Sequence, residues 1–340
     1  MHLPLNFIWF NLLGILLTGY GILDGFDLGV GILHLFAKED QERRFFLNSI
    51  GPLWDGNEVW LVTFVGALFA AFPNAYALAF SGFYLLIMLI LCALIFRAVS
   101  IEFRSKRQGK LWRGFWDISF CASSTVATFL FGVIVGHLFI GVPVGADMEF
   151  TGRLADYFKF FPVLTGLLAV SAAAMHGSIF LYLKTEGLLR IKISHWIWNT
   201  YTLFLCFYII TTIVTLIKVP TAIANLEKMP VLWSVVILNV LAIVSIPRML
   251  ILKKPGWAFV GSMCTLGGLA ALFGIAIYPN LIVSSLDPAL SLNIYNAASS
   301  PKTLGIMLTI ACLGLPFVLA YTVVVYWVFH GKVELGKFSY

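Results

Sequence analysis

The sequence predicts an all-α, polytopic membrane protein of about nine transmembrane helices, with the N-terminus outside and the C-terminus in the cytoplasm. Three observations carry this: the composition, the length of the apolar runs, and the placement of basic residues between them. Of 340 residues, 60% are hydrophobic and 11% charged, against about 25% charged in a soluble domain. A soluble core cannot absorb that apolar excess, whereas repeated crossings of about 20 residues each can.

Read between charged or Pro/Asn-containing breaks, the expected spans are Asn6 to Phe36, Ser49 to Phe72, Ala75 to Phe96, Phe115 to Ile140, Phe160 to Tyr182, Trp196 to Ile217, Val231 to Leu252, Trp257 to Ile277 and Leu304 to Phe329. The break at Pro73 and Asn74 is short, which predicts a tight antiparallel hairpin of the second and third helices. The first run has no basic leader and reaches Asp24 and Asp27 without a small-residue cleavage site, so the first helix is expected to remain in the mature protein. The outer segments Gly141 to Lys159 and Asn280 to Lys302 are expected as surface loops. No soluble domain or short-period repeat is evident, so residues 1–340 are expected as one transmembrane domain.

The basic residues set the orientation. Loops 1, 3, 5 and 7 and the C-terminal tail hold 17 of the 22 Lys and Arg, and the other side five, so the positive-inside rule places the odd loops in the cytoplasm. This topology and the anionic headgroups of membrane lipid account for the net charge of +6, and nucleic acid need not be invoked. The third loop, from Arg97 to Lys106, reads mainly as part of this signal. Cys92, Cys121, Cys206, Cys264 and Cys312 lie in separate apolar runs without metal or haem-attachment spacing and are expected to pack.

Ionisable groups inside spans are costly, so each is a candidate functional residue. In helix 1, Asp24 and Asp27 stand three apart on one face, and Gly21, Gly25 and Gly29 would let a neighbouring backbone approach closely. Asp24 falls roughly 27 Å along the helix, near the cytoplasmic side of a core about 30 Å thick. The pair suits either proton uptake or loop capping at the interface. A second cluster, Trp54-Asp55-Gly56-Asn57-Glu58-Val59-Trp60, opens helix 2 from the same cytoplasmic loop. Asp55 and Glu58 repeat the spacing, Gly56 and Asn57 permit a broken start, and Trp54 and Trp60 suit an interface belt. Four neighbouring acids suit a proton relay; the alternative is N-capping by Asp55 with Glu58 in the first turn.

His137 and His176 are the two histidines well inside spans, and Met175 adjoins His176. Imidazole and thioether are haem ligands, so both histidines are weak haem-ligand candidates; a lone histidine in an apolar helix is more often a hydrogen-bonded packing residue. His2, His34, His195 and His330 stand at helix ends. Asp117 suits either burial or the interface, and Lys184-Thr185-Glu186-Gly187 reads as a helix end. No metal site is expected.

Together these stretches resemble subunit II of cytochrome bd and cyanide-insensitive quinol oxidases. The resemblance rests on Asp24-Gly25-Phe26-Asp27-Leu28-Gly29-Val30-Gly31, Trp54-Asp55-Gly56-Asn57-Glu58-Val59-Trp60-Leu61, Gly66 to Pro73, Phe96-Arg97, Glu102-Phe103-Arg104, His176-Gly177 and Lys184 to Gly187. It implies a nine-helix subunit packed against a large, haem-bearing subunit I in a pseudo-symmetric heterodimer. That large subunit would carry haems b and d and the quinol-oxidising loop, and quinol from the membrane pool would reduce oxygen to water. This chain's outer loop from Val219 to Pro230 is far too short to be that quinol-oxidising loop. The resemblance assigns Asp55 and Asp27 to cytoplasmic proton delivery, with Asp24 and Glu58 as neighbours. It also allows a structural quinone in this subunit and a small accessory subunit, and it gives this chain no catalytic residue or haem of its own. Two other readings are an ion-coupled secondary transporter, against which stand the lack of a repeat and acids lying toward one face, and a self-sufficient di-haem cytochrome, which needs more convergent ligands.

Overall fold

A computed structural model describes residues 4–145 and 154–333. His2 and part of the expected loop from Gly141 to Lys159 lie outside them. Helix α1 (Leu5–Leu33) ends in a 3-10 turn, His34–Phe36, and α2 (Asp40–Ile50) follows as a short polar-faced helix that buries Phe46, Leu47 and Ile50. Next come α3 (Trp54–Ala71), α4 (Pro73–Gly82), α5 (Tyr84–Phe103), α6 (Lys110–Ile140), α7 (Phe160–Lys184) and α8 (Gly187–Lys218). The short α9 (Ala224–Lys228) leads to α10 (Trp233–Ile251) and α11 (Pro255–Ile277). A two-stranded antiparallel ribbon, β1 (Asn280–Ile282) with β2 (Leu292–Asn293), precedes α12 (Pro301–Val328).

The architecture is all-α and polytopic, and eight helices among the described residues are long and apolar enough to cross a membrane. The second expected span is not one of them. Its helix, α3, has 18 residues and begins with Asp55, Asn57 and Glu58, polar residues that take up its first turns. The expected hairpin is also corrected. Pro73 starts a separate helix rather than a turn, because its fixed φ and missing N–H suit a first helical position. The third expected span is thus split into α4 and α5; α5 lies along α6, and α3 lies along α1.

Helix α7 forms the centre of the bundle, with α1, α6, α8 and α11 packed around it. It is buried without interruption from Ser171 to Leu181, which its run of Ala172, Ala173, Ala174 and Gly177 makes possible. Of the predicted glycine stripe, Gly29 makes the close approach: a Cβ there would sit 2.0 Å from the Ala173 carbonyl oxygen. Gly25 has only ordinary contacts and Gly21 faces open space. The segment from Asn280 to Lys302 is more than a surface loop. Its apolar side chains Ile282, Leu292, Ile294 and Ala297 are buried, and it accepts hydrogen bonds from Asn6 Nδ2 (to the Ile294 carbonyl) and donates one from the Ser299 N–H to Ala71, closing the ends of α1 and α3. The cysteines pack less than expected: Cys92, Cys206, Cys264 and Cys312 are exposed on the apolar outer surface of the chain, and Cys121 is half-buried.

Candidate functional site

The two sequence clusters meet. Asp24 and Asp27, three residues apart on α1, are both fully buried and face α3, α5 and α12. The carboxylate of Asp24 takes both terminal nitrogens of Arg97: Nη1 donates to Oδ2 at 2.8 Å and Nη2 donates to Oδ1. Arg97 lies on α5 and is itself fully buried, so its reading as a loop charge is corrected. A bidentate guanidinium fits a carboxylate edge to edge, and burial strengthens the pairing while demanding it. The sequence holds a signal for this: Arg97 directly follows a long apolar run, and α5 continues six residues beyond it.

Asp27 is held differently. Its Oδ2 accepts from Asn57 Nδ2 at 2.7 Å, and the same amide donates to the Leu23 carbonyl at 3.1 Å. Asn57 Oδ1 accepts from the Tyr326 hydroxyl of α12 at 2.9 Å. The other oxygen of Asp27, Oδ1, is buried without a hydrogen-bond partner among the described residues. Buried polar atoms are rarely left unsatisfied, which makes this oxygen a candidate point of proton exchange. Phe26 stacks on Phe180, ring centroids 4.1 Å apart, and stands edge-on to Tyr326 beside the pair.

Glu58 is half-buried near Arg97 and Asp24, and it also senses the charge of Asp55. Asp55 is exposed in the first turn of α3 and does not join the buried pair. The capping alternative is corrected: Leu53 occupies the N-cap, and Asp55 makes no cap bond. Gly56 lies under α12, where a Cβ would come within 3.8 Å of Tyr321. Trp54 is half-buried, while Trp60 is buried against Gly19, leaving no room for a Cβ there. Gly25 separates the two acids, and a Cβ there would meet the edge of His176 at ordinary distance.

The histidines are committed elsewhere. His176 Nδ1 is 2.7 Å from Ser262 Oγ, its Nε2 is 3.0 Å from the Ile22 carbonyl, and its ring stacks on Phe259. With both nitrogens engaged by protein, it does not fit an axial haem ligand. His137 ends α6 with Nε2 2.8 Å from the Tyr157 carbonyl, holding the segment after α6.

A second buried carboxylate, Asp117 on α6, resolves the question left by the sequence. Its Oδ1 meets His34 Nε2 at 2.6 Å and Arg104 Nε at 2.5 Å, and its Oδ2 meets Arg43 Nη1 at 2.8 Å. Arg104 also reaches Asp40, which pairs with Arg113. This network joins the ends of α1 and α5 to α2 and the start of α6.

The subunit II description of cytochrome bd terminal oxidases matches residues 5–329. The chain belongs to the cytochrome bd terminal oxidase subunit II family. It is 35% identical to the cytochrome bd-I ubiquinol oxidase subunit 2 of Escherichia coli (strain K12), covering 97% of this chain and 95% of the relative. It is 34% identical to the cytochrome bd ubiquinol oxidase subunit 2 of Bacillus subtilis (strain 168), covering 97% of each. Its fold matches a chain of the bd oxidase from Geobacillus thermodenitrificans with TM-score 0.81, at 17% identity over 96% of this chain and 98% of that one. As a subunit II, the protein is a multi-pass component of a bacterial inner-membrane oxidase complex that contains haem and a subunit I. Nothing in these likenesses supports the transporter reading.

Proposed function

We propose that this chain is the small core subunit of a quinol oxidase, supporting a subunit I that carries haems b and d and supplying part of the path by which cytoplasmic protons reach the site of oxygen reduction. In the overall reaction two quinols reduce one oxygen to two waters, and the water-forming protons come from the cytoplasm. The observation that carries the reading is the graded series of acids at the basic side of the bundle, from exposed Asp55 through half-buried Glu58 to buried Asp27 with a free Oδ1. Under the orientation set by the basic loops, with the N-terminus outside, that series starts at the cytoplasmic surface.

In this reading Asp55 collects protons from water and Glu58 passes them inward. Arg97 neutralises Asp24, so a single buried carboxyl, that of Asp27, remains to exchange a proton. Trp54, Gly56 and Gly29 serve packing, and residues 1–340 act as one membrane domain. The largely unburied helices α8, α10 and α12 offer apolar faces to lipid and to subunit I. A structural quinone and a small accessory subunit remain part of the expected complex. His176, with no free nitrogen, leaves the haems to the partner.

The test is purification of the tagged complex in mild detergent, with mass identification of the partner and assay of quinol-dependent oxygen uptake. Asp27→Asn is expected to leave assembly and the haem spectrum intact and to slow uptake at least about tenfold; full uptake by this variant would remove Asp27 from the path.

A further inference from the structure

We propose that Tyr326 is a positioning residue for Asp27, that it is held in register by a lysine clasp between the end of α12 and the end of α7, and that Asp27 exchanges its proton at Oδ1. This deepens the proton-path reading and rests on it.

The orientation of Asn57 follows from its three bonds. Tyr326 donates to Oδ1, so Nδ2 must face Leu23 and Asp27, and both amide hydrogens are used. An amide N–H gives a hydrogen bond but no proton. Asp27 Oδ2, occupied by that N–H, is therefore the carbonyl-like oxygen of the neutral acid, and the proton resides on Oδ1. Loss of the Tyr326 hydroxyl removes the bond that holds the amide from its oxygen side and leaves only the two Nδ2 bonds to Leu23 and Asp27, so the amide sits less firmly against Oδ2 and the setting of the acid changes.

What places Tyr326 is unusual. Within this chain α12 buries Leu304 and no other residue, and Pro316 interrupts its hydrogen bonding midway. The half that carries Tyr326 thus needs an anchor of its own, and one lies immediately beyond it. Buried Lys184, the last residue of α7, donates to the carbonyls of Phe329 and of Gly331, the latter at 3.2 Å. Lys332 answers with bonds to the carbonyls of Leu183 at 2.6 Å and Thr185 at 3.1 Å, and the Val333 N–H donates to Lys184 at 3.1 Å. Each helix end thereby satisfies carbonyls that its own last turn leaves open. Phe329 is three residues, less than one turn, past Tyr326. The same lysine lies over the ring of Phe180, which stacks on Phe26 between the two acids.

The experiment uses the purified oxidase complex and two readouts: turnover at saturating quinol, and the infrared carboxyl band that disappears in Asp27→Asn. Tyr326→Phe is expected to shift that band and to slow turnover about tenfold with the KM for quinol unchanged. Lys184→Met should move both readouts the same way, and Lys184→Arg should restore them. The double variant Tyr326→Phe with Lys184→Met should be no slower than the slower single variant, because both act through one bond. Should Lys184→Met fail to assemble, exposed Lys332→Ala tests the other half of the clasp. An unmoved band in Tyr326→Phe, or a double variant slowed by the product of the two single effects, overturns the proposal. Normal turnover in Asp27→Asn would instead sink the underlying proton-path reading, and slow Asp27→Asn with normal Tyr326→Phe sinks this inference alone.

Discussion

Asp117 and Asp27 are both buried carboxylates in the same bundle, yet their surroundings have little in common. Asp117 has His34, Arg43 and Arg104 distributed over its two oxygens. Asp27 has one neutral amide on Oδ2 and, among the described residues, no partner on Oδ1. A carboxylate held by two guanidinium groups is locked as an anion and ties helices together; one with a free oxygen and no directly bonded cation can take and give up a proton. On the proposed reading, the contrast separates a structural acid from a proton-exchanging one better than burial does. Asp24, paired edge to edge with Arg97, stands between the two as the charge that keeps Arg97 in place.

The largest effect is expected at Asp117. Asp117→Asn keeps the shape but leaves Arg104 and Arg43 facing an amide, and breaking such a buried pairing costs about 3–5 kcal/mol. The complex should be recovered in low yield with a reduced Tm, measured by a thermal shift of the purified oxidase. A normal Tm would break the comparison from the structural side. Asp27→Asn should do the reverse. It removes an oxygen that had no partner and costs at most about 1 kcal/mol, so yield and Tm should stay near those of the parent while turnover falls. A loss of stability matching that of Asp117→Asn would make Asp27 a structural residue too.

How much of this was legible in the sequence differs between the same two regions. The spans of α1, α6, α7, α8, α10, α11 and α12 follow from apolar runs, because lipid imposes a length that the sequence displays directly. The meeting of Asp24 and Asp27 with Asn57 and Glu58 was readable too, since both clusters flank one loop. The partners that decide their roles were not. Arg97 looks like one more basic residue of a cytoplasmic loop until α5 is seen to carry it inside, and Tyr326 lies 269 positions from its partner Asn57 with no local pattern to link them. The Pro73 break misled for a related reason: a proline that ends one helix serves equally well as the first residue of the next, and only packing chooses between turn and helix. His176 illustrates the opposite case. As an isolated histidine it read more readily as a packing residue than as a ligand, and its two hydrogen bonds agree with that.

The smallest effect sharpens the comparison by moving to a carboxylate that is well partnered but reachable by solvent. Glu42 on α2 accepts from Lys192 Nζ of α8 at 2.7 Å and from the Lys38 N–H at 2.8 Å, with its side chain 18% exposed and that of Lys192 30%. Burial alone would raise the Glu42 carboxyl, but the Lys192 bond and the backbone N–H groups of Lys38 and Glu39 outweigh it and hold the group below its ordinary value of 4.5. The folded state therefore binds fewer protons here than the unfolded chain. Its contribution is complete above about pH 4.5 and disappears as the pH falls through the lower folded value. Glu42→Gln should accordingly lower stability by only about 0.5 kcal/mol at pH 7, and the gap from the parent should close as the pH drops below 4.5. Raising the salt concentration should shrink the same gap at neutral pH, because solvent screens this pair, while leaving the Asp117→Asn deficit in place. Equal salt sensitivity at both sites would mean that the Asp117 network is open to water, and the distinction between a sealed anion and an accessible one would fail.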